Sequence, residues 1–298
     1  MSNIHFLDIP PNFSFEHTIR SHGWSGLLPF EIDEADSSLT YVFRAGESNK
    51  PVSASISNDS GKLRIECDTS DMDAGKLIRG VRHMLRLDDD MNEFYKVIGK
   101  ESAFGWVSTF NAGRLLRSPT LFEDLVKTLC TTNCSWGATI KMVTNLVEKL
   151  GEASPGGKRA FPTAEALAGV SEDFFRNEIR AGYRSAYFAE MAESVASGKL
   201  DPEAWLHSDL PTAELRKDIK KIKGFGDYAA DNLLKLLGRY DGLALDSWLR
   251  AGFYKKHNGE NVCADSKIDK HYRKFGKWKG LAMWCDMTEK WFDKKSVE

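Results

Sequence analysis

Two features of the 298-residue chain can carry chemistry, and both lie in its last third. The first is Lys220-Lys-Ile-Lys-Gly-Phe-Gly-Asp227. A helix ending at Lys223, a tight Gly224-Phe225-Gly226 turn and a second helix from about Asp227 are expected. Two glycines around one apolar residue let the backbone adopt φ > 0 and come close to another molecule. The second helix then offers free N–H groups and its positive dipole end to an anion, while Phe225 anchors the turn in the core. As a bare pattern the same residues fit a helical corner closed by a C-cap glycine. The crowding of Arg216, Lys217, Lys220, Lys221 and Lys223 around the turn points instead to a phosphate-facing surface. The second feature is Asp246, within Gly242-Leu-Ala-Leu-Asp-Ser-Trp-Leu-Arg250. Taken alone it is the N-cap of a helix opening at Ser247. It follows Tyr228 by eighteen residues, one helix plus one loop, so the chain can return it beside the hairpin.

The elements that must position these residues fall into two kinds. Leu39–Arg44, Val52–Ser57 and Lys62–Glu66 alternate in polarity, and Asn58-Asp-Ser-Gly61 reads as a hairpin turn. From Asp73 the period becomes helical, with Leu77, Ile78, Val81, Met84 and Leu85 on one face. Thr120 and Glu123 form the pattern of a capping box for a helix running to about Thr132. A second helix starts near Trp136 and stops at Gly151. Thr163, Ser171, Ser185 and Thr212 are expected as further N-caps. The expected fold class is α+β: an N-terminal antiparallel β-rich domain over residues 1–110, then an all-helical domain over 111–298 that holds the hairpin.

Composition narrows the class of partner. At 42% hydrophobic and 28% charged the chain reads as an ordinary globular protein. No apolar run approaches the length of a membrane span. The start of the chain lacks a basic segment followed by an apolar run, which leads us to expect no secretion and a cytoplasmic (in a bacterium, nucleoid-associated) protein. Five scattered cysteines with no CxxC pair argue against a disulfide framework and a zinc site. A net charge of −2 does not advertise nucleic-acid binding, but the signs are segregated. Glu31, Asp33, Glu34, Asp36 and Asp88–Asp90 are acidic clusters, whereas the hairpin and the stretch from Lys255 to Lys279 are basic.

The hairpin with its lysines, and Ala229-Ala230 where helices must pack closely, resembles the helix-hairpin-helix element of DNA-repair proteins. With Asp246 at its distance from the hairpin, the chain resembles the helix-hairpin-helix (HhH-GPD) DNA glycosylase superfamily, whose members carry an Asp there in a pattern similar to V-D-x-H-V. Leu245-Asp246-Ser247-Trp248-Leu249 takes that place, with Ser247 and Trp248 departing from it. Leu121–Asn133, Phe161–Ala168 and Ala181–Tyr187 resemble segments of 8-oxoguanine DNA glycosylases, and the β-rich part resembles those enzymes and 3-methyladenine DNA glycosylase II. The likeness covers most of the chain.

The resemblance implies excision of a flipped base from double-stranded DNA by a monomer. Asp246 would be catalytic, because glycosidic cleavage passes through an oxocarbenium-like sugar that a carboxylate stabilises while activating water. Gly224, Phe225, Gly226, Lys221 and Lys223 would grip phosphate, with Asn133, Tyr183 and Arg184 at positions that probe or wedge the duplex. The backbone carbonyls of Lys220, Ile222 and Phe225 match positions that bind a monovalent cation. No other cofactor is expected, and with only Cys263 and Cys285 after Asp246 there is no set of four for an iron–sulfur cluster. Bifunctional members carry a Lys two positions after the second hairpin glycine. Here that position is Tyr228, which forms no imine, so hydrolysis without strand cleavage is expected. Tyr228, Trp24, Trp284, His22 and Asn232 are the base-pocket candidates. Met283 and Met287 stand where 8-oxoguanine enzymes grip the base with Gln and Phe, which leaves the excised base open. The competing reading is a non-catalytic DNA-damage sensor or DNA-binding protein, which keeps the grip but has no use for Asp246.

Overall fold

A computed structural model describes residues 3–292. Five antiparallel strands, β1 (Ile4–Asp8), β2 (Glu31–Asp33), β3 (Ser38–Arg44), β4 (Pro51–Asp59) and β5 (Lys62–Cys67), form one sheet in the order β1-β5-β4-β3-β2. Leu39 faces Ile56, and Ile56 faces Ile65, so one face of the sheet is apolar by register. Among the described residues, the helices of eight residues or more are α1 (Ala74–Met84), α2 (Leu121–Thr131), α3 (Trp136–Leu150), α4 (Ser185–Ala196), α5 (Thr212–Ile219), α6 (Asp227–Leu236), α7 (Ser247–His257), α8 (Asp265–Tyr272) and α9 (Lys279–Thr288). The fold is α+β, as the change of period indicates.

Two hydrophobic cores cut across the expected division at residue 110. One joins the sheet and α1 to α2, α3, α4, α5 and α6. The other joins the segment from Met91 to Leu115 to α7, α8 and α9. The sheet therefore shares its core with the central helices, and residues 91–115 pack with the C-terminal ones. Each buried Leu, Ile, Val or Phe in these cores contributes roughly 1.5–3 kcal/mol. The two cores meet at α6 and the loop after it.

α2 is buried from Leu121 to Cys130, polar residues included. Thr120 caps it through the Glu123 N–H, as expected. The capping box does not close. The Glu123 carboxylate accepts a 2.5 Å bond from the Tyr41 hydroxyl and pairs with Lys127 at 2.6 Å, tying α2 to the sheet instead. Other expected starts also shift. Thr163 and Ser171 cap helices, but α5 follows Pro211, and Ser185 lies inside α4 with its hydroxyl on the Gly182 carbonyl. The first hairpin helix ends at Ile219 rather than Lys223.

Arg86 joins the two cores. It is 1% exposed, and its guanidinium donates to the carbonyls of Leu115 (2.9 Å), Lys235 (3.1 Å) and Leu236, and to Asp89 at 2.7 Å. The last carbonyls of α6 have no partners within the helix, and a cation there also meets the negative end of its dipole. Arg117 adds a second donor to Leu236 at 3.2 Å. Replacing Arg86 with Met leaves the Leu115 carbonyl without its donor, the Leu236 carbonyl with Arg117 alone and Asp89 without its ion pair. We expect a loss of about 3–5 kcal/mol, read as a lower urea midpoint with little change in slope. A midpoint unchanged in the variant contradicts this role.

Candidate active site and nucleic-acid interface

The hairpin forms as the glycines require, although they do different things. Gly224 has φ +90°, and a Cβ there would sit 2.7 Å from Leu129 Cδ1 and 2.9 Å from Tyr187 Cδ2. It is needed for both conformation and packing. Gly226 has φ −82°, not the positive φ expected of both glycines, and a Cβ there would meet nothing within 4 Å. It caps α6 without a side-chain hydrogen bond, so the first N–H groups of the helix face outward. Phe225 is buried in the first core as expected. The Ile222 carbonyl accepts the Phe225 N–H at 3.1 Å, while no backbone N–H reaches the carbonyls of Lys220 and Phe225.

The hairpin lysines are not bare charges. Lys220 pairs with Asp227 (2.5 Å), Lys221 with Asp218 (2.7 Å) and Lys223 with Glu190 (2.6 Å). The Lys221 and Lys223 side chains remain largely exposed, and such pairs hold by only about 0–1 kcal/mol. A DNA phosphate can therefore displace these carboxylates at small cost.

Asp246 comes back beside the hairpin. It caps α7, its Oδ1 accepting the Leu249 N–H at 2.7 Å, while its other oxygen takes no hydrogen bond from the described residues. Just before it Ala244 holds φ +50°, a conformation that a residue with a Cβ adopts rarely. The loop is pressed into place by α9: Gly280 N–H donates to the Tyr240 carbonyl at 2.7 Å, and a Cβ at Gly280 would lie 2.0 Å from the Gly242 carbonyl oxygen. Only glycine allows that approach, which brings Trp284 of α9 into the same pocket wall as Asp246.

Asp246 opens into a pocket of about 650 Å³, a volume usual for a small-ligand site. Tyr228, Trp24, Trp284, His22 and Asn232, all expected from sequence, line it together with Asp246. The Trp24 indole N–H donates to Asp124 at 2.7 Å and that of Trp284 to the Ser21 carbonyl at 2.7 Å, so both rings are locked. His22 packs edge-on to Trp24 with centroids 4.4 Å apart. Burial, with the nearby Lys235 cation, holds its pKa well below the ordinary value, so its imidazole is neutral, and its Nδ1 has no partner. Burial likewise raises the Tyr228 phenol to about 12, keeping it neutral.

Among the lining residues not expected from the sequence are three aromatic rings and one cation. Trp248 and Trp291 stand 5.6 Å apart beside Trp284, and Trp136 lies so close to Gly23 that a Cβ there would sit 2.9 Å from its ring. Lys235 is the cation. Its signal was present, since Tyr228, Asn232 and Lys235 follow the i, i+4, i+7 spacing of one helix face. By contrast, Met283 is fully buried in the second core and neither it nor Met287 lines the pocket.

Arg184 is a correction of another kind. It is 5% exposed, and its guanidinium donates to the Thr132 hydroxyl (3.0 Å) and carbonyl, so it braces the loop after α2 rather than facing DNA. That loop presents Asn133, exposed at φ +45°, whose amide donates to the Tyr183 hydroxyl at 3.3 Å. Tyr183 is half exposed, and its ring is backed by the Arg184 guanidinium 4.6 Å away. Asn133 and Tyr183 thus project together at the rim where Thr131, Cys134 and Ser135 enter the pocket wall.

Fold and hairpin together define the class: the chain has the fold of the helix-hairpin-helix DNA glycosylases. No family model matches it. A probable N-glycosylase/DNA lyase of Methanothermobacter thermautotrophicus is 23% identical over 289 residues, covering 89% of each chain. Two solved structures share the fold at low identity. The 8-oxoguanine glycosylase/lyase of Clostridium acetobutylicum without DNA gives a TM-score of 0.75 at 20% identity over 96% of each chain. The 3-methyladenine DNA glycosylase of Archaeoglobus fulgidus gives 0.77 at 15% identity, over 97% of this chain and 99% of that one. The Clostridium enzyme has also been solved on double-stranded DNA.

The difference between the two glycines can be measured. Gly226→Ala should fold with unchanged stability yet bind a DNA duplex more weakly, because its methyl group occupies the approach to the α6 amides. Lys221→Ala and Lys223→Ala should flatten the plot of log affinity against log salt by about one unit per lost phosphate contact. Full affinity in Gly226→Ala at every salt concentration reduces the hairpin to a helical corner.

Proposed function

We propose that the protein is a monofunctional DNA glycosylase, which turns a damaged or modified base out of double-stranded DNA and hydrolyses its N-glycosidic bond. The observation that carries this reading is the position of Asp246. One of its oxygens is fixed by a helix N-terminus and the other is open to an aromatic pocket next to a phosphate-ready hairpin. A protein that only held DNA has no use for a carboxylate there, since it repels phosphate.

In this reading the α6 amides, with Lys221 and Lys223, hold the backbone, and Asn133 and Tyr183 enter the duplex where the base has left. The carbonyls of Lys220, Ile222 and Phe225 would hold a monovalent cation, which would supply positive charge beside the phosphate; the two without backbone partners fit that duty. The base stacks among Tyr228, Trp24 and Trp284. As the C1′–N bond breaks, its electron pair leaves with the base and the sugar becomes cationic. Asp246 stabilises that charge and takes a proton from the water that adds to C1′. The pocket is complete within one chain, which supports a monomer, and five free thiols accord with a cytoplasmic setting.

The Asp246→Asn change isolates the chemistry, because Asn caps a helix as well as Asp does. Base release should fall about 10²–10⁴-fold, with stability and duplex affinity within a few-fold of the parent. Unchanged turnover removes Asp246 from the mechanism. Borohydride should trap no covalent adduct with DNA. Tyr228 has no amine, and Lys235 joins the helix seven residues on, about 10 Å further along its axis. A trapped adduct overturns the monofunctional assignment.

A further inference from the structure

Lys235 is unusual for a buried lysine. It is 1% exposed and lines the pocket, yet its ammonium makes no hydrogen bond or ion pair with any described residue. Its contact is with an aromatic face: Nζ stands 4.3 Å from the centroid of the Trp284 ring. Asn232, one turn back on the same face, is 4% exposed, and its amide makes no hydrogen bond with any described residue. Every other buried cation of the first core is answered: Arg86 by carbonyls and Asp89, Lys127 by Glu123. Burying an ammonium without a partner is costly, and the usual resolution is a ligand that supplies the acceptor. The backbone of Lys235 is fixed as well, since Arg86 holds its carbonyl.

We infer that Lys235 is a specificity-determining residue that donates to the acceptor edge of the extruded base, so that the pocket takes electrically neutral purines with carbonyl and ring-nitrogen acceptors, deaminated or oxidised, and rejects cationic N-alkylated purines. This rests on the base-excision reading of the same pocket. The pocket has what such a choice requires. Aromatic walls at Trp24, Trp284 and Tyr228 stack on any flat base and by themselves favour a cationic one, so selection of neutral bases must come from charge. The nearest carboxylate, Asp246, is at the sugar end, while Lys235 lies further along α6. A base carrying a positive charge meets the ammonium between aromatic walls, where like charges are less screened than in bulk water and repel more strongly. A neutral base with a carbonyl there gains a charge-assisted hydrogen bond. The same bond draws electron density from the departing base, which a neutral leaving group needs and a cationic one does not.

Proton binding at Lys235 is within experimental reach. Burial lowers its pKa to about 8, against the opposing pull of Asp246 and, more weakly, Asp231 and Cys285. Of the other groups facing it, Tyr228 and Cys285 are pushed up to about 12, and His22 is held far down. The ammonium, and with it the preference for neutral bases, is present below pH 8 and lost above it.

The test uses binding, so that it stands apart from hydrolysis. Duplexes carry hypoxanthine or 7-methylguanine on a 2′-fluoro sugar that resists cleavage, and dissociation constants are measured for the parent, Lys235→Met and Lys235→Arg. The parent should bind the hypoxanthine duplex about 10- to 100-fold more tightly than the 7-methylguanine duplex. Lys235→Met should abolish that preference, Lys235→Arg should keep part of it, and raising the pH from 7 to 9 should erode it in the parent protein. Because the two probe bases themselves lose protons in this range, the pH series is run on Lys235→Arg as well: erosion confined to the parent reports Lys235 even where Lys235→Met fails to fold, and equal erosion in Lys235→Arg overturns the inference. Equal affinity of the parent for the two duplexes, or a preference that survives both Lys235→Met and pH 9, overturns the inference. A preference that behaves as stated without any base release overturns the glycosylase reading and leaves Lys235 as the base-reading group.

Discussion

The site depends on how one helix is held at both ends. α6 leaves its N-terminal amides free toward the hairpin and gives its C-terminal carbonyls to Arg86 and Arg117, two arginines buried between the cores. Such an arrangement is stable only because each exposed backbone group has a purpose: the carbonyls meet cations and the amides stay in solvent. The helix is thereby fixed in rotation and depth, and rotation decides which face lines the pocket. Tyr228, Asn232 and Lys235 turn inward together, and loss of Arg86 would release all three.

The pocket is built from conflicts that the fold resolves elsewhere. The Nδ1 of His22 is buried without a partner, Lys235 and Asn232 reach the pocket wall with no side-chain partner among the described residues, and Ala244 holds a backbone conformation that its side chain disfavours. Groups of this kind cost stability in an empty protein and are repaid by order when a ligand arrives. The supporting shell is the reverse, with locked indoles at Trp24 and Trp284 and the Glu123 carboxylate tied to Tyr41 and Lys127. Rigid walls around unsatisfied polar groups make a site that recognises by complementarity and not by closing.

Electrostatics explain how a chain of net charge −2 can present a surface to DNA. The hairpin lysines are neutralised by near neighbours, Asp218, Asp227 and Glu190, through pairs that solvent weakens. An exchange of one carboxylate for a phosphate leaves the balance of charge nearly unchanged, so affinity comes from geometry at the α6 amides as much as from net charge. Arg184, which at first reading belongs with these cations, instead supports the loop that carries Asn133.

Much of this was legible in the residues themselves. Periodicity separates the strands from the helices, because side-chain direction repeats every two residues in one and every 3.6 in the other. The glycines of the hairpin, the N-cap at Asp246 and the distance between them are local matters, and all six residues expected at the catalytic and base-binding positions do meet in one pocket. What sequence does not contain is the partner of each charge. Lys127 has Glu123 one turn back on its own helix, whereas only packing shows that Lys235 faces a cavity and that the Lys223 charge meets Glu190. Arg184 and Lys221 look equally available, yet one is buried. The boundary between cores, the burial of Met283 in the second core, and the approach of α9 to the Asp246 loop at Gly280 were likewise decided by packing. Local conformation follows from neighbours along the chain, whereas the fate of a charge depends on residues a hundred positions away, and only the tertiary structure brings those together.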